Sequence, residues 1–217
     1  MKSYSIIIPI YNEIKSIPQL LNELKYFSYN NEIIIVNDGS NDGSKKILER
    51  CNFIKLINID INKGKGVAIS LGLDSSKNKR VIIYDGDLEL KTSELKKLMI
   101  IDRNKKINFV LGSRFEKPQD FSSLWNLGNF LMTKLFNLTY KSSINDALCC
   151  SKSFFKSDIP TKQIVSKRFD IDVELTSLLI QTKNKHSVVP LSYSRRSKGE
   201  GKKIRYRDVF IIVFRIL

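Results

Sequence analysis

The chain has 217 residues, of which 42% are hydrophobic and 27% are charged, as in an ordinary globular protein that can build one substantial core. A formal net charge of +15 favours an anionic partner, which could be a phosphorylated substrate, a membrane surface or a nucleic acid. Three cysteines without a CxxC spacing, together with a single histidine, argue against a disulfide framework, a zinc site and a histidine-based catalytic triad.

The first half of the sequence alternates between continuous apolar runs and helical patterns. In chain order, the runs typical of buried strands are SIIIPIY, EIIIVND, IKLINI, RVIIYD and NFVLGSR. The segments between them that favour helices are SIPQLLNELKYF, KKILERC, KGKGVAISLGLDSS and TSELKKLMIID. This alternation predicts an α/β fold with a mostly parallel central sheet flanked by helices.

The second half is less regular. FSSLWNLGNFLMTKLFNLTY has apolar residues on more than one helical face, which indicates a helix that is buried or lies on a membrane. A further helix is predicted for FDIDVELTSLLIQT and a strand for HSVVPLSYS. No linker divides the chain, so we predict one domain over residues 1–204 and an amphipathic C-terminal helix over residues 205–217, suited to a membrane interface.

No apolar run approaches the about 20 residues that a spanning helix needs. The N-terminal apolar run breaks at Pro9, which makes it too short for a signal peptide. The sequence therefore predicts a cytoplasmic protein that is peripherally associated with the membrane.

Three carboxylates stand two residues apart after a predicted strand, namely Asp85, Asp87 and Glu89 in RVIIYDGDLEL. If the chain stays extended, their side chains point the same way. Three like charges repel unless a cation lies among them, and Mg²⁺ and Mn²⁺ bind carboxylates together with substrate phosphates. The motif predicts a metal–diphosphate site, although an ordinary polar turn after a strand has the same appearance.

Five segments follow successive predicted strands in a fixed order: IPIYNE, VNDGSNDGS, NKGKGVA, DGDLEL and GSRF. Together they resemble the family 2 glycosyltransferases, over nearly the whole chain. The resemblance implies the nucleotide-diphospho-sugar transferase fold, also called GT-A. It also implies an inverting transferase that uses a nucleotide-sugar donor and a divalent cation, Mg²⁺ or Mn²⁺.

The same resemblance assigns roles to individual residues. The residues expected to bind the donor are Pro9, Tyr11, Glu13, Asp38, Lys63, Gly64 and Asp85. The residues expected to hold the metal are Asp85, Asp87 and Glu89, the last of which stands where the family often has Gln. Arg114 matches an arginine near the phosphates, and Asn37 precedes Asp38 where the family usually has a second Asp.

Segments in the second half resemble one branch of the family. RFDIDVEL and YSRRSKGEGKKI are similar to segments of dolichyl-phosphate glucose and mannose synthases and of bacterial polyprenyl-phosphate relatives. DALCCSKSFF resembles another family segment, with Cys-Cys-Ser where small residues including Gly are usual. The implied reaction moves a hexose from a donor of the GDP-mannose or UDP-glucose type to a polyprenyl phosphate, either dolichyl or undecaprenyl.

The segment 195–207 holds seven Lys and Arg against the single Glu200. A phosphate monoester has a second pKa of about 6 and is largely dianionic at neutral pH, so it needs cations to position it more than a base. The candidates for binding the acceptor phosphate are Arg114, Arg196, Lys198, Lys202 and Lys203, with Arg195 close behind.

Asp146 matches the family aspartate near the acceptor, and we predict that it acts as a base or orients the acceptor. With Asp87 and Arg114 it forms the predicted catalytic set. Asp172 and Glu174 are further candidates for a base. Because residues two apart on a helix cannot share one face, one of these two is expected to be exposed.

Three alternatives remain in view. A family 2 transferase that acts on a saccharide of a surface polysaccharide is the nearest one. A nucleotidyltransferase on the same fold usually has a Gly-rich loop near the N-terminus, where this chain has PIYNE. A nucleic-acid-binding module would need a binding motif, and none is recognisable, so we predict no nucleic-acid partner. The sequence leaves open the sugar, the nucleotide and the need for a membrane partner protein.

Overall fold

A computed structural model of the protein describes residues 2–115, 124–196 and 206–217. The strands are β1 Tyr4–Ile10, β2 Glu32–Asp38, β3 Lys55–Ile59, β4 Arg80–Ile83, β5 Phe109–Ser113, β6 Lys152–Phe155 and β7 His186–Pro190. The helices are α1 Ile17–Ser28, α2 Ser44–Glu49, α3 Lys65–Ser75, α4 Leu95–Leu98, α5 Leu124–Tyr140, α6 Ile171–Gln181 and α7 Tyr206–Ile216. Short 3₁₀ turns cover Thr92–Glu94, Lys156–Asp158 and Thr161–Gln163.

The seven strands form one sheet in the order β3-β2-β1-β4-β6-β5-β7. All neighbouring pairs are parallel except those of β6, which runs antiparallel to both β4 and β5. Side chains that alternate along β1 enter different apolar layers: Ile7 packs on one face of the sheet, and Ile6 and Ile8 pack on the other. The predicted α/β architecture with a mostly parallel, doubly covered sheet is confirmed.

The chain departs from the predicted elements at places that include the end of β4 and the strand β6. β4 ends at Ile83, and the chain turns at Gly86 and Asp87, so the condition of an extended chain as far as Glu89 is not met. Leu88 within this turn has a φ of 62°, a left-handed conformation that non-glycine residues rarely adopt. β6 was not predicted, because its four residues KSFF follow a Ser and include a Lys, a pattern without the apolar run of a buried strand.

The C-terminal helix α7 packs against α5 and α6 through one face and leaves the other open. Ile212 and Ile216 are buried, whereas Phe210, Phe214 and Leu217 are 77%, 83% and 78% exposed. The spacing of the three exposed residues places them on one side of the helix. The predicted boundary between residues 204 and 205 lies outside the described residues. None of the helices in the described ranges has the length and apolarity needed to cross a bilayer.

Candidate active site

A cavity of about 660 Å³ opens beyond the carboxyl ends of β1, β2 and β4. Its wall continues through the start of α3 and through residues of α5, α6 and α7. Ligands of open α/β sheets bind at this edge, where loops from several strands meet. Most of the residues that the sequence singled out lie here.

The end of β1 contributes Pro9, Tyr11 and Glu13 to the cavity wall. Glu13 is buried, and its Oε2 accepts hydrogen bonds from Ser16 Oγ at 2.9 Å and from Arg196 Nη1 at 2.8 Å. Glu13, predicted to bind the donor, therefore contacts an arginine that was predicted to bind the acceptor.

Asp38 at the end of β2 fixes the loop that precedes α3. Its two carboxylate oxygens accept hydrogen bonds from the backbone nitrogens of Lys63 and Gly64, each at 2.8 Å. Gly64 has a φ of 102°, and a Cβ there would lie 2.2 Å from the carbonyl oxygen of Lys167. Only glycine permits this close approach. The Lys63 side chain is exposed to solvent.

The turn after β4, here called the carboxylate turn, brings Asp85, Asp87 and Glu89 to the cavity wall. Burial and the nearby charges of Asp85 and Glu89 raise the pKa of Asp87 to about 7. This mutual repulsion favours a cation beside Asp87. In the described part of the chain, however, no three acidic, Cys or His side chains are gathered closely enough to hold a metal as they stand. A divalent cation would rest on one or two of these carboxylates and on donor phosphates.

Lys65, which is not among the predicted site residues, binds two of the acidic residues. Its Nζ lies 2.9 Å from an oxygen of Asp85 and 2.9 Å from Asp172 Oδ2. Burial disfavours the charged amine, but Asp172 and Asp85 outweigh it and raise the pKa of Lys65 well above its usual value. The sequence does indicate this role, because Lys65 begins α3 and a lysine at the positive N-terminal end of a helix needs acidic partners.

Asp85 and Asp87 differ although they are two residues apart. Burial also disfavours the charged form of Asp85, but the Lys65 ammonium and hydrogen bonds from Lys65 and Cys150 hold the pKa of this carboxyl below its usual range. Asp85 therefore already has a positive partner in the protein, whereas Asp87 is the carboxylate that gains most from an added cation.

Arg114 and Asp146 form a second buried ion pair beside the cavity. Arg114 donates through Nε at 2.8 Å and through Nη2 at 2.9 Å, and its backbone nitrogen donates to Asp146 at 3.0 Å. Burial opposes ionisation, but Arg114 outweighs it and lowers the pKa of Asp146. Of the two roles predicted for Asp146, this geometry favours orientation over proton abstraction.

The segment after β7 runs alongside the carboxylate turn. Ser194 and Arg196 donate their backbone nitrogens to the main-chain oxygen and to Oε1 of Glu89, at 2.8 Å and 3.0 Å. Arg195 and Arg196 line the cavity. The other predicted acceptor-binding residues, Lys198, Lys202 and Lys203, lie outside the described residues.

Asp172 and Glu174 on α6 are both buried, so the prediction that one of them is exposed is wrong. Glu174 accepts hydrogen bonds from the backbone nitrogens of Val165 and Ser166, at 3.0 Å and 2.9 Å. Asp172 instead lines the cavity and pairs with Lys65. Other parts of the chain cover α6 on the side of Asp172 and on the side of Glu174, which is why neither side chain is exposed.

Comparison with known sequences gives one family. Residues 5–159 match the family model described as glycosyl transferase family 2. A UDP-N-acetylglucosamine–dolichyl-phosphate N-acetylglucosaminyltransferase of Methanococcus voltae is 29% identical over 98% of this chain and 94% of its own. A dolichyl-phosphate beta-glucosyltransferase of Trichomonas vaginalis is 32% identical over 69% of this chain and 52% of its own. The match thus spans nearly all of the first relative and about half of the second.

The fold is shared with a solved glycosyltransferase. The glucosyl-3-phosphoglycerate synthase of Mycobacterium tuberculosis, in complex with UDP, superposes with a TM-score of 0.70 over 99% of this chain and 77% of its own, at 13% identity. Another structure of that enzyme contains Mn²⁺, UDP and phosphoglyceric acid. At this identity the likeness establishes the fold, and the predicted GT-A fold is confirmed.

Proposed function

Because this chain belongs to glycosyl transferase family 2, we propose that it moves a hexose from a nucleotide-diphosphate sugar to a polyprenyl phosphate, either dolichyl or undecaprenyl. The donor is of the GDP-mannose or UDP-glucose type, and the reaction inverts the anomeric carbon. The relative from M. voltae, named for UDP-N-acetylglucosamine, adds that sugar to the donors worth testing. The acceptors named for both relatives are lipid phosphates.

The observation that carries the choice of acceptor is the set of arginines on the cavity wall, Arg114, Arg195 and Arg196. A saccharide hydroxyl needs a base to remove its proton. A phosphate with a second pKa of about 6 is already ionised, and it suits a site that offers arginines.

Arg114 and Arg196 are the described residues proposed to hold the acceptor phosphate, and Lys198, Lys202 and Lys203 are proposed to assist them. Asp146 keeps the Arg114 guanidinium in place through its two-pronged contact. An oxygen of the held phosphate attacks the anomeric carbon on the face opposite the leaving group, and the bond from that carbon to the nucleotide diphosphate breaks. An α-linked donor then gives a β-linked polyprenyl-phosphate sugar.

The carboxylate turn is proposed to bind Mg²⁺ or Mn²⁺, chiefly through Asp87 with Glu89, since Asp85 is held by Lys65. A bound divalent cation would neutralise charge on the departing nucleotide diphosphate. Pro9, Tyr11, Glu13 and Asp38 remain the proposed donor side of the cavity, with the loop at Lys63 and Gly64.

The exposed face of α7 is proposed to hold the protein at the membrane surface. Phe210, Phe214 and Leu217 form its apolar side, and α5 adds the exposed Leu131 and Leu138. Both helices also contribute to the cavity wall, which would keep the site close to a lipid-borne phosphate. Residues 1–204 would then be the catalytic part and residues 205–217 the interfacial helix.

The decisive experiment measures release of nucleotide diphosphate by the purified full chain. UDP-glucose, UDP-N-acetylglucosamine and GDP-mannose are each tested with Mn²⁺ or Mg²⁺, with and without a short polyprenyl phosphate. We expect release with one donor only when both metal and lipid phosphate are present. Asp87→Asn should reduce the rate at least about 100-fold, because one charged contact to the reacting assembly is lost, whereas the exposed control Asp60→Asn should not.

Two outcomes would overturn the proposal. Transfer to a water-soluble saccharide, without any lipid product, would favour the polysaccharide alternative. Unchanged activity of Asp87→Asn would remove the metal assignment.

Membrane attachment is tested separately by sedimentation with vesicles of phosphatidylcholine and phosphatidylglycerol. Replacing Phe210 and Phe214 by Ser should lower the bound fraction at least about tenfold, since each buried aromatic side chain contributes of the order of 1.5–3 kcal/mol. Tyr29→Ser, at an exposed aromatic residue that follows α1, is the matched control. Equal binding of the two variants would place the membrane contact elsewhere.

A further inference from the structure

Asp172 has an oxygen that nothing in the described protein satisfies. The residue is 9% exposed and lines the cavity. Its Oδ2 accepts a hydrogen bond from Lys65 Nζ at 2.9 Å. Its Oδ1 is buried and has no hydrogen-bond partner among the described residues. Buried carboxylate oxygens are normally paired, so this unpaired one, on a side chain that lines the cavity, indicates a place for a donor supplied by a ligand.

The charges around this oxygen restrict what the ligand group can be. Asp85 and Asp172 flank a single ammonium, so the cluster carries a net negative charge that repels phosphate. The Lys65 ammonium, 2.9 Å from the partner oxygen, disfavours a metal ion at the same place. A neutral group that donates a hydrogen bond meets both conditions, and a sugar hydroxyl is such a group.

We propose that Asp172 recognises a hydroxyl of the transferred sugar through Oδ1 and is a specificity-determining residue of the donor site. This rests on the proposed function, in which the cavity holds a nucleotide sugar. Lys65 is the positioning residue of the pair. Its ammonium binds Oδ2 and so fixes the carboxylate in an orientation in which Oδ1 has no partner among the described residues. Lys65 also ties Asp85 of the carboxylate turn to the same helix α6.

The pair suits discrimination between sugars. A site built to accept a hydrogen bond from a hydroxyl rejects an analogue that lacks it, because the site's own polar group then stays unpaired in a dry place. Asn at position 172 would have to keep its carbonyl oxygen toward the Lys65 ammonium. Its NH₂ would then face the hydroxyl, which would have to accept a hydrogen bond instead of donating one, so the stronger bond to a charged carboxylate would be lost.

The test is donor binding measured by calorimetry in Mn²⁺, without any acceptor, on the full chain. UDP-glucose, UDP-N-acetylglucosamine and GDP-mannose are compared with UDP and GDP, and the donor that binds is then compared with its deoxy analogues. For the wild-type protein we expect one deoxy analogue to bind about 10- to 100-fold more weakly than the parent donor. Asp172→Asn should bind the parent donor about as weakly as the wild type binds that analogue. Its affinities for the parent donor and for the analogue should differ less than about threefold. The affinity of Asp172→Asn for UDP or GDP should stay within about twofold of the wild-type value. Every affinity of the exposed control Asp60→Asn should also stay within about twofold of the wild-type value.

Other results would overturn the inference. If Asp172→Asn keeps the wild-type discrimination at every sugar position, the oxygen does not recognise the sugar. If its affinity for UDP or GDP falls as much as its affinity for the sugar nucleotide, the residue is structural. Failure of the wild-type protein to bind any sugar nucleotide would overturn the proposed function together with this inference, whereas the first two results affect the inference alone.

Discussion

Two buried ion pairs lie at the same edge of the sheet and differ in what they leave unsatisfied. Asp146 accepts from Arg114 Nε and N through Oδ2, and from Arg114 Nη2 and Leu148 N through Oδ1. Asp172 accepts from Lys65 through Oδ2, and its Oδ1 is left over. A fully satisfied carboxylate stabilises the fold and positions its partner. A half-satisfied one at a cavity is better suited to bind a ligand.

The largest effect should come from breaking the satisfied pair. Asp146→Asn leaves the buried Arg114 guanidinium without its counter-charge, and we expect it to lower the free energy of unfolding by about 3–5 kcal/mol. Urea denaturation of the full chain, with Asp60→Asn as the exposed control, measures the difference. A loss below about 1 kcal/mol would mean that the pair is not a structural clamp.

The same pair should give the protein a specific dependence on acid. The pKa of Asp146 is lower in the folded state than in the unfolded chain, where it is about 3.9. Its charged form therefore adds stability that is fully present above that value and is lost as the pH falls through the folded pKa. The difference in unfolding free energy between the wild type and Asp146→Asn should be constant from about pH 5 to 8 and should shrink below about pH 4. A difference that grew in acid would contradict the assignment.

The smallest effect on stability should come from the half-satisfied pair. Asp172→Asn leaves Lys65 paired with Asp85, so no isolated charge remains in the interior. We expect the free energy of unfolding to change by less than about 1 kcal/mol. Denaturation of this variant beside Asp146→Asn makes the comparison direct. Equal losses of unfolding free energy in the two variants would show that the two pairs contribute equally to stability.

The strands and the strand-end residues were predictable because each depends on a local pattern. Continuous apolar runs mark β1, β2 and β4, which are buried on both faces, and polar residues follow each run where the sheet ends. The segment order of the family then gave the fold. None of this needed contacts between distant residues.

The pairings inside the site were not predictable because they join distant parts of the chain. Lys65 meets Asp172 across 107 positions, and Arg196 meets Glu13 across 183. The turn at Leu88 is equally invisible in the sequence, since leucine carries no preference for a left-handed backbone. The short strand β6 has a buried serine and a buried lysine, whose partners only the tertiary structure supplies.

The placement of β6 has a consequence for how the chain is made. β4 and β5 do not pair with each other, because each pairs with β6 between them. During synthesis on a ribosome, strands β1 to β4 can pair as they emerge, but β5 has to wait until residues 152–155 follow it. We therefore expect nascent chains that end before β6 to keep β5 open to proteases, and chains extended well past it to protect that strand.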